Sequence, residues 1–230
     1  MKVNRWPRWL NTYHDFPVMM KAYFSRVSFL LWPLLLLYGM GCGALIYIYY
    51  LICKHTCSIE VRIPSNMPSS YIRCVWHQNF NLFLTASPRF QREVWMNHPQ
   101  PYMIPWYFVS KLLGVFKMIP GSSGHSGRIA ADHIVGFLRQ GYCTSVLPDG
   151  PNGPPRTLEK GILHMAQQGG VPIVPIIVRG TKCIKLKSWD SKLLPIPFVS
   201  KIQIQYLTPT YVQESEFVSA ERDLVSKLNL

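Results

Sequence analysis

Residues 144–176, TSVLPDGPNGPPRTLEKGILHMAQQGGVPIVPI, hold a strand, a constrained polar loop, a helix and a second strand in one continuous unit. The apolar run from Cys143 to Leu147 is short and rich in β-forming residues, and it stops at Pro148-Asp149-Gly150-Pro151, a cluster that cannot continue a strand. From Leu158 to Gln168 the apolar residues Leu158, Ile162, Leu163 and Ala166 recur at helical spacing, and Gly169-Gly170 supplies a C-terminal stop. Val171 to Val178 then reads as a buried strand. Strand, helix and strand in that order imply a parallel crossover, so the chain is expected to be α/β with a mostly parallel sheet flanked by helices. Ligands of such sheets sit beyond the carboxyl ends of the strands, which is where Asp149, Arg156 and Lys160 fall.

At 230 residues the chain can form one sizeable domain with a small appendage, and it has no internal repeat. The net charge of +13 calls for an anionic partner: nucleic acid, a membrane surface or an acidic small substrate. Six cysteines, at 42, 53, 57, 74, 143 and 183, form no paired CxxC ligand motif and sit in apolar contexts, as buried thiols of a reduced compartment do. His125, His133 and His164 show no metal-ligand spacing, so no metal site is expected.

The chain divides into three parts. Residues 1–26 set Lys2, Arg5, Arg8, Lys21 and Arg26 against Asp15 and interleave them with Trp6, Trp9, Tyr13, Phe16 and Tyr23, the composition of a membrane interface. Residues 27–53 contain no charged side chain, and about 20 apolar residues suffice for one helix to cross a bilayer. The run is too long and starts too far from the amino terminus for a cleaved signal peptide. Two arrangements fit it: a single crossing, or two half-helices split at Pro33 and Gly39-Met-Gly-Cys-Gly43 that dip into one leaflet and return. The excess of Lys and Arg before the segment favours a cytoplasmic amino terminus; a cytoplasmic soluble domain needs the re-entrant form and is the arrangement preferred here. Residues 54–230 form the α/β domain.

Within that domain Tyr71 to Trp76 reads as a strand ending at His77, and Gln78 to Thr85 as a helix, which puts His77 at a strand-to-helix junction facing a cleft. Trp106 to Leu113 reads as a helix and Val115 to Ile119 as a strand. The loop Gly121-Ser-Ser-Gly-His-Ser-Gly127, entering a helix that carries Arg128, is suited to cradle an anion but lacks the Gly-Lys-Ser/Thr of a P-loop. Lys201 to Leu207 alternates as a half-exposed strand, and Ser215 to Leu228 is an amphipathic helix. Lys182, Lys185, Lys187 and Lys192 surround Ser188-Trp189-Asp190, a basic and aromatic surface suited to lipid headgroups or to plain solvent. A histidine can take a proton from a hydroxyl near neutral pH, while cations and loop amides hold a phosphate or a developing oxyanion. Transfer of a group to an alcohol on an anionic acceptor follows.

Leu147-Pro-Asp-Gly-Pro-Asn-Gly-Pro-Pro-Arg156, Lys160-Gly-Ile162, Gly170-Val-Pro-Ile-Val-Pro-Ile176, Lys187-Ser-Trp-Asp190 and Pro195-Ile-Pro-Phe198 together resemble the lysophospholipid acyltransferase superfamily, in a bacterial branch near the lipid A (Kdo-linked) late acyltransferases. The resemblance runs from about Val75 to Tyr211. It implies a glycerol-3-phosphate-acyltransferase-like fold at the bacterial inner membrane. It also implies fatty acyl transfer from acyl carrier protein or coenzyme A, as co-substrate with no further cofactor, to a hydroxyl of a lysophospholipid or lipid A-type glycolipid. His77 matches the general base, which lets the hydroxyl attack the thioester without an acyl-enzyme. Asp149-Gly150 with Pro151, Arg156 and Lys160 matches the loop on the acceptor's phosphate side, and Ser122, Ser123 and Arg128 stand near the acceptor motif.

One departure matters. The superfamily places an acid five positions after the histidine, and here that position is Leu82. Without an acid the imidazole loses the group that fixes its tautomer. Asp149 is the expected substitute. If none fills the role, the chain is a lipid-binding scaffold on the same fold. A membrane-tethered nucleic-acid binder would also use the charge, but the basic residues cluster beside the apolar segment, and nucleic acid is not expected as a partner.

Overall fold

The computed structural model describes residues 13–87, 90, 92–122 and 126–230. In chain order the elements are α1 (Phe16–Phe24), α2 (Trp32–Thr56), β1 (Ser58–Arg62), β2 (Ile72–Cys74), α3 (Phe80–Ala86), β3 (Val94–Asn97), α4 (Ile104–Leu112), β4 (Lys117–Pro120), α5 (Gly127–Leu138), β5 (Thr144–Val146), α6 (Gly161–Gly169), β6 (Ile173–Thr181), β7 (Ile184–Lys185), β8 (Leu193–Leu194), β9 (Lys201–Tyr206) and α7 (Phe217–Leu228). They form two compact units: Met1–Tyr47 with Arg89–Ala130, and Ile48–Pro88 with Ala131–Leu230. The division does not follow the end of the apolar segment, because α2 contributes its first half to one unit and its second half to the other.

In the first unit α1 buries Met19, Met20, Tyr23 and Phe24, so residues 16–24 of the basic aromatic segment are built into a core rather than laid on a surface. Asp15, which precedes α1, is itself buried. Its carboxylate pairs with Lys111 Nζ of α4 at 2.8 Å, accepts from the Tyr107 hydroxyl at 3.0 Å, and accepts from the Met118 amide of β4. Lys111 also donates to the Phe116 carbonyl at 3.0 Å. Such a pair is held by its added hydrogen bonds, since burying either charge alone costs several kcal/mol. The same clasp holds the start of β4, which pairs in parallel with β3.

Helix α2 is continuous; Pro33 occupies its first turn, where a missing N–H costs nothing, and Gly39, Gly41 and Gly43 do not interrupt it. A half-helix break is therefore absent. The glycines serve packing instead. A Cβ on Gly43 would lie 2.8 Å from Phe108 Cβ and 2.9 Å from the Pro105 carbonyl, and one on Gly39 would meet Ile104, so this small-residue stripe lets α2 and α4 approach closely. Phe29–Thr56 is long and apolar enough to cross a membrane, and most of its side chains, Leu34, Leu37 and Leu45 among them, are not covered by protein.

The second unit is a mixed sheet in the order β1-β9-β6-β2-β5. Strand β2 lies between β5 and β6 and is parallel to both, β6 is antiparallel to β9, and β9 is parallel to β1. The unit expected around residues 144–176 is present: β5 and β6 are joined by α6, whose Ile162, Leu163, Met165 and Ala166 are buried, and the helix ends at Gly170 in the left-handed conformation. Strand β9 alternates as its sequence requires, with Ile202, Ile204 and Tyr206 inward and Lys201, Gln203 and Gln205 in solvent. Helix α3 packs on β6 and β9 with Leu82 fully buried; a Cβ on Gly180 of β6 would sit 2.5 Å from Leu82 Cδ1. Position 82 is thus a core position.

Asp15→Ala, which strands the Lys111 ammonium, is expected to cost about 3–5 kcal/mol, a fall of roughly 10 °C in the melting temperature of the detergent-solubilised chain. Asp15→Leu combined with Lys111→Met is expected to recover most of that loss, because no uncompensated charge remains.

Candidate active site

Three backbone facts place the site. Strands β2 and β5 run parallel and their pairing extends to the Val75 amide on the Val146 carbonyl at 3.2 Å, so both strands end at the same edge. His77 follows β2 by three residues and Asp149 follows β5 by three. The edge is the carboxyl end of the parallel strands, where sequence reasoning put it. Trp76, beside His77, is anchored by its indole N–H donating to Asn229 Oδ1 at 3.2 Å, just past α7.

Asp149 is buried, and both of its carboxylate oxygens are spent on backbone: Oδ1 accepts from the His77 amide at 3.0 Å and Oδ2 from the Arg156 amide at 3.1 Å. It therefore ties the end of β2 to the far side of the 149–156 loop. It does not face the imidazole, which corrects the expectation that Asp149 replaces the missing acid. Arg156 is held with φ +59, a strained value for a side-chain-bearing residue that the Asp149 bond stabilises. Its guanidinium reaches Gln78 Oε1 at 3.4 Å.

The acid at the imidazole is Asp190. Its Oδ2 is hydrogen-bonded to His77 Nδ1, while Oδ1 accepts from Ser188 Oγ at 2.6 Å, and Lys192 Nζ lies 3.4 Å from Oδ2. The residue is carried by the tip of a two-stranded hairpin, β7 with β8, and the Ser188 hydroxyl also accepts from the Lys192 amide at 3.3 Å, which fixes the tip. Gln78 Nε2 donates to the Ser191 carbonyl at 3.3 Å and clamps the hairpin to the histidine's own turn. In the sequence Lys187-Ser-Trp-Asp190 reads as a basic, aromatic surface and as part of the resemblance, with no role for the acid. A 113-residue separation leaves no local signal, and only the isolated acid within a lysine-rich hairpin could have pointed to it.

The ring is confined on two sides. Trp189 stacks on it with centroids 5.2 Å apart and planes at 26°. A Cβ on Gly150 would come within 3.0 Å of His77 Cδ2 and 3.5 Å of Nε2, so any larger residue here would press on the imidazole. A Cβ on Gly153, which sits at φ +74, would likewise come within 2.7 Å of Trp189 Cε3. Asp190 is held ionised: burial opposes its charge, but the hydrogen bonds from Ser188 and His77 and the Lys192 charge outweigh burial and keep the carboxyl below its ordinary range. An ionised Asp190 makes Nδ1 the protonated nitrogen and leaves the lone pair on Nε2. Among the described residues nothing is hydrogen-bonded to Nε2. Burial is also the largest influence on His77 and lowers its pKa below 6.5; Lys192 adds to this, and the Asp190 hydrogen bond with the Asp190 and Asp149 charges pulls partly back. The imidazole is accordingly neutral at pH 7, the form that accepts a proton.

The remaining expected site residues divide. Gly150, Pro151, Arg156 and Lys160 lie in the same unit as His77, with Lys160 exposed at the start of α6. Ser122 and Arg128 belong to the other unit, where Ser122 Oγ lies 2.6 Å from His98 Nδ1 and Arg128 is exposed on α5; Ser123 lies outside the described residues. No cluster of His, Cys, Asp and Glu able to hold a metal occurs among the described residues.

No family model matches the chain. An uncharacterised protein of Rickettsia prowazekii (strain Madrid E) is 37% identical over 92 residues, which is 39% of this chain and 42% of that protein, so the match spans less than half of either. Among solved structures, the 1-acyl-sn-glycerophosphate (LPA) acyltransferase PlsC from Thermotoga maritima is similar over 95% of this chain and 92% of its own, at 16% identity and a TM-score of 0.49.

Removing the carboxylate partner takes away the main influence that raises the imidazole pKa, and removing the neighbouring ammonium takes away one that lowers it. In an NMR titration of the His77 ring, Asp190→Asn is therefore expected to move the midpoint further below 6.5 and Lys192→Gln to move it up. A midpoint unmoved by Asp190→Asn would show that the pair does not form in solution.

Proposed function

We propose that the chain is a membrane-anchored O-acyltransferase that moves a fatty acyl group from a thioester of acyl carrier protein or coenzyme A to a hydroxyl of a lipid with an anionic headgroup, a lysophospholipid or a lipid A-type glycolipid. The observation that carries this reading is the His77–Asp190 pair, whose ring leaves Nε2 without a hydrogen-bond partner among the described residues. Nε2 takes the hydroxyl proton as the acceptor oxygen attacks the thioester carbonyl carbon. The tetrahedral intermediate then expels the thiolate as the C–S bond breaks, and the imidazolium returns the proton to sulfur. Asp190 orients the ring and stabilises its transient charge. The exposed guanidinium of Arg156 is the group available to an acceptor phosphate or to the oxyanion. The apolar helix α2 and the +13 charge suit an anionic lipid acceptor at a bilayer. The Asp190 carboxylate on His77 Nδ1 supports turnover over a scaffold role despite the lack of an acid at Leu82.

The test is incorporation of a labelled acyl group from a thioester into lipid by membranes carrying the full chain. His77→Ala is expected to abolish it, and Asp190→Asn to lower kcat roughly 10³-fold or more, as loss of an orienting acid does in other histidine-dependent acyl transfers. Asp149→Ala is expected to lower it by displacing His77 and Arg156. Because the free imidazole titrates below 6.5, kcat/KM is expected to hold at neutral pH and to fall on an acid limb whose midpoint lies below that value. Undiminished incorporation by His77→Ala would remove the assignment.

A further inference from the structure

We infer that the β7–β8 hairpin with the following turn, residues 182–199, is a contact surface for an anionic phospholipid bilayer, set at headgroup depth by the end of α2. Within 181–201 there are five lysines, at 182, 185, 187, 192 and 201, against the single acid Asp190, which is buried on His77. Lys182, Lys185 and Lys187 are exposed and have no ion-pair partner among the described residues. Apolar side chains stand among them in solvent: Ile184, Leu186, Trp189 and, at 80% exposure, Phe198. A monomer in water gains nothing from this combination, whereas a headgroup layer rewards cationic and aromatic residues together.

The backbone spends free energy to present Phe198. The residue sits at φ +64, a value that costs an aromatic residue on the order of 1–3 kcal/mol unless its surroundings enforce it. The enforcement is visible. Buried Ser200 accepts from the Ile196 amide at 2.7 Å and donates to the Lys182 carbonyl at 2.7 Å, and the Ser200 amide closes on the Ile196 carbonyl at 3.0 Å. Ser200 thus locks the turn and joins it to the base of the lysine hairpin.

Depth is fixed by α2. The Tyr49 hydroxyl donates to the Pro195 carbonyl, and Cys57 Sγ lies 3.4 Å from the Ile196 carbonyl, so the turn is pinned to the last turns of the apolar helix and the residue after it, in the same unit. Where α2 leaves the bilayer, Phe198 and the lysines stand at its surface. The hairpin tip that touches the headgroups also carries Trp189 and Asp190, so docking brings the His77 pair to the level at which a lipid hydroxyl is exposed.

The inference rests on the membrane-anchored reading of α2 and not on the chemistry of His77, and the test has a readout besides activity. A benzophenone photo-cross-linking amino acid is placed at Phe198, or at exposed Val218 of α7 as a control, in the full chain reconstituted in vesicles of phosphatidylcholine with or without one quarter phosphatidylglycerol. Lipid adducts are expected at 198 and not at 218, with the higher yield in phosphatidylglycerol vesicles. Lys182→Glu, Lys185→Glu and Lys187→Glu together are expected to lower the yield roughly fivefold or more, from the attraction of about one lysine or greater. Equal yields at the two positions, no response to phosphatidylglycerol, or an adduct to a second copy of the chain would overturn the surface. If the unmutated chain cross-links at 198 as expected yet incorporates no acyl group from either thioester, the surface stands and the enzyme reading falls.

Discussion

A carboxylate taken out of water must have both of its oxygens answered, and the second unit is organised around two that do. Asp149 and Asp190 are each buried, and each is bound at both oxygens, the first by backbone amides and the second by side chains. The cost of dehydrating them exceeds what any one hydrogen bond returns, so neither stays buried unless all its partners are in place together. Each acid therefore fixes several segments together: the end of β2, the loop beyond β5, and the tip of the β7–β8 hairpin. His77 lies where the three meet.

The two acids divide work that a shorter motif would give to one local acid. Asp149 fixes where the histidine's backbone lies; Asp190 fixes which way its ring faces and which nitrogen keeps the proton. Lys192 sits beside the pair and keeps Asp190 ionised while lowering the imidazole pKa, so the base is held neutral without losing its partner. Leu82 is then free to fill the core between α3 and Gly180 of β6. The glycines at 150 and 153 belong to the same economy, since they let the loop close on a histidine and a tryptophan that leave no room for a Cβ.

Much of the frame is legible in one dimension. The crossover unit of residues 144–176, the strand before His77, the half-exposed β9 and the C-terminal helix all declare themselves by period and by their Gly and Pro boundaries, because burial of one face imposes a repeat. The short strands β1, β3, β7 and β8 carry no such repeat. They are two to five residues long, and their place in a sheet comes from partners far along the chain. The glycines of α2 mislead for a related reason: glycine reads locally as a break, yet here it answers to α4.

The sequence by itself determined the α/β class, the apolar helix near the amino terminus, the basic and aromatic character of residues 182–192 and the position of His77 and Asp149 just past the ends of two strands. Each of these is written in local pattern or in strand order. Only the tertiary structure decided which acid serves the histidine. Asp149 and Asp190 are equally acidic in the sequence, and what separates their roles is direction: one carboxylate turns toward main-chain N–H groups across its own loop, and the other reaches the ring from a hairpin 113 residues away. Hydrogen bonds of that range depend on packing that brings the segments together, and no window of neighbouring residues contains it.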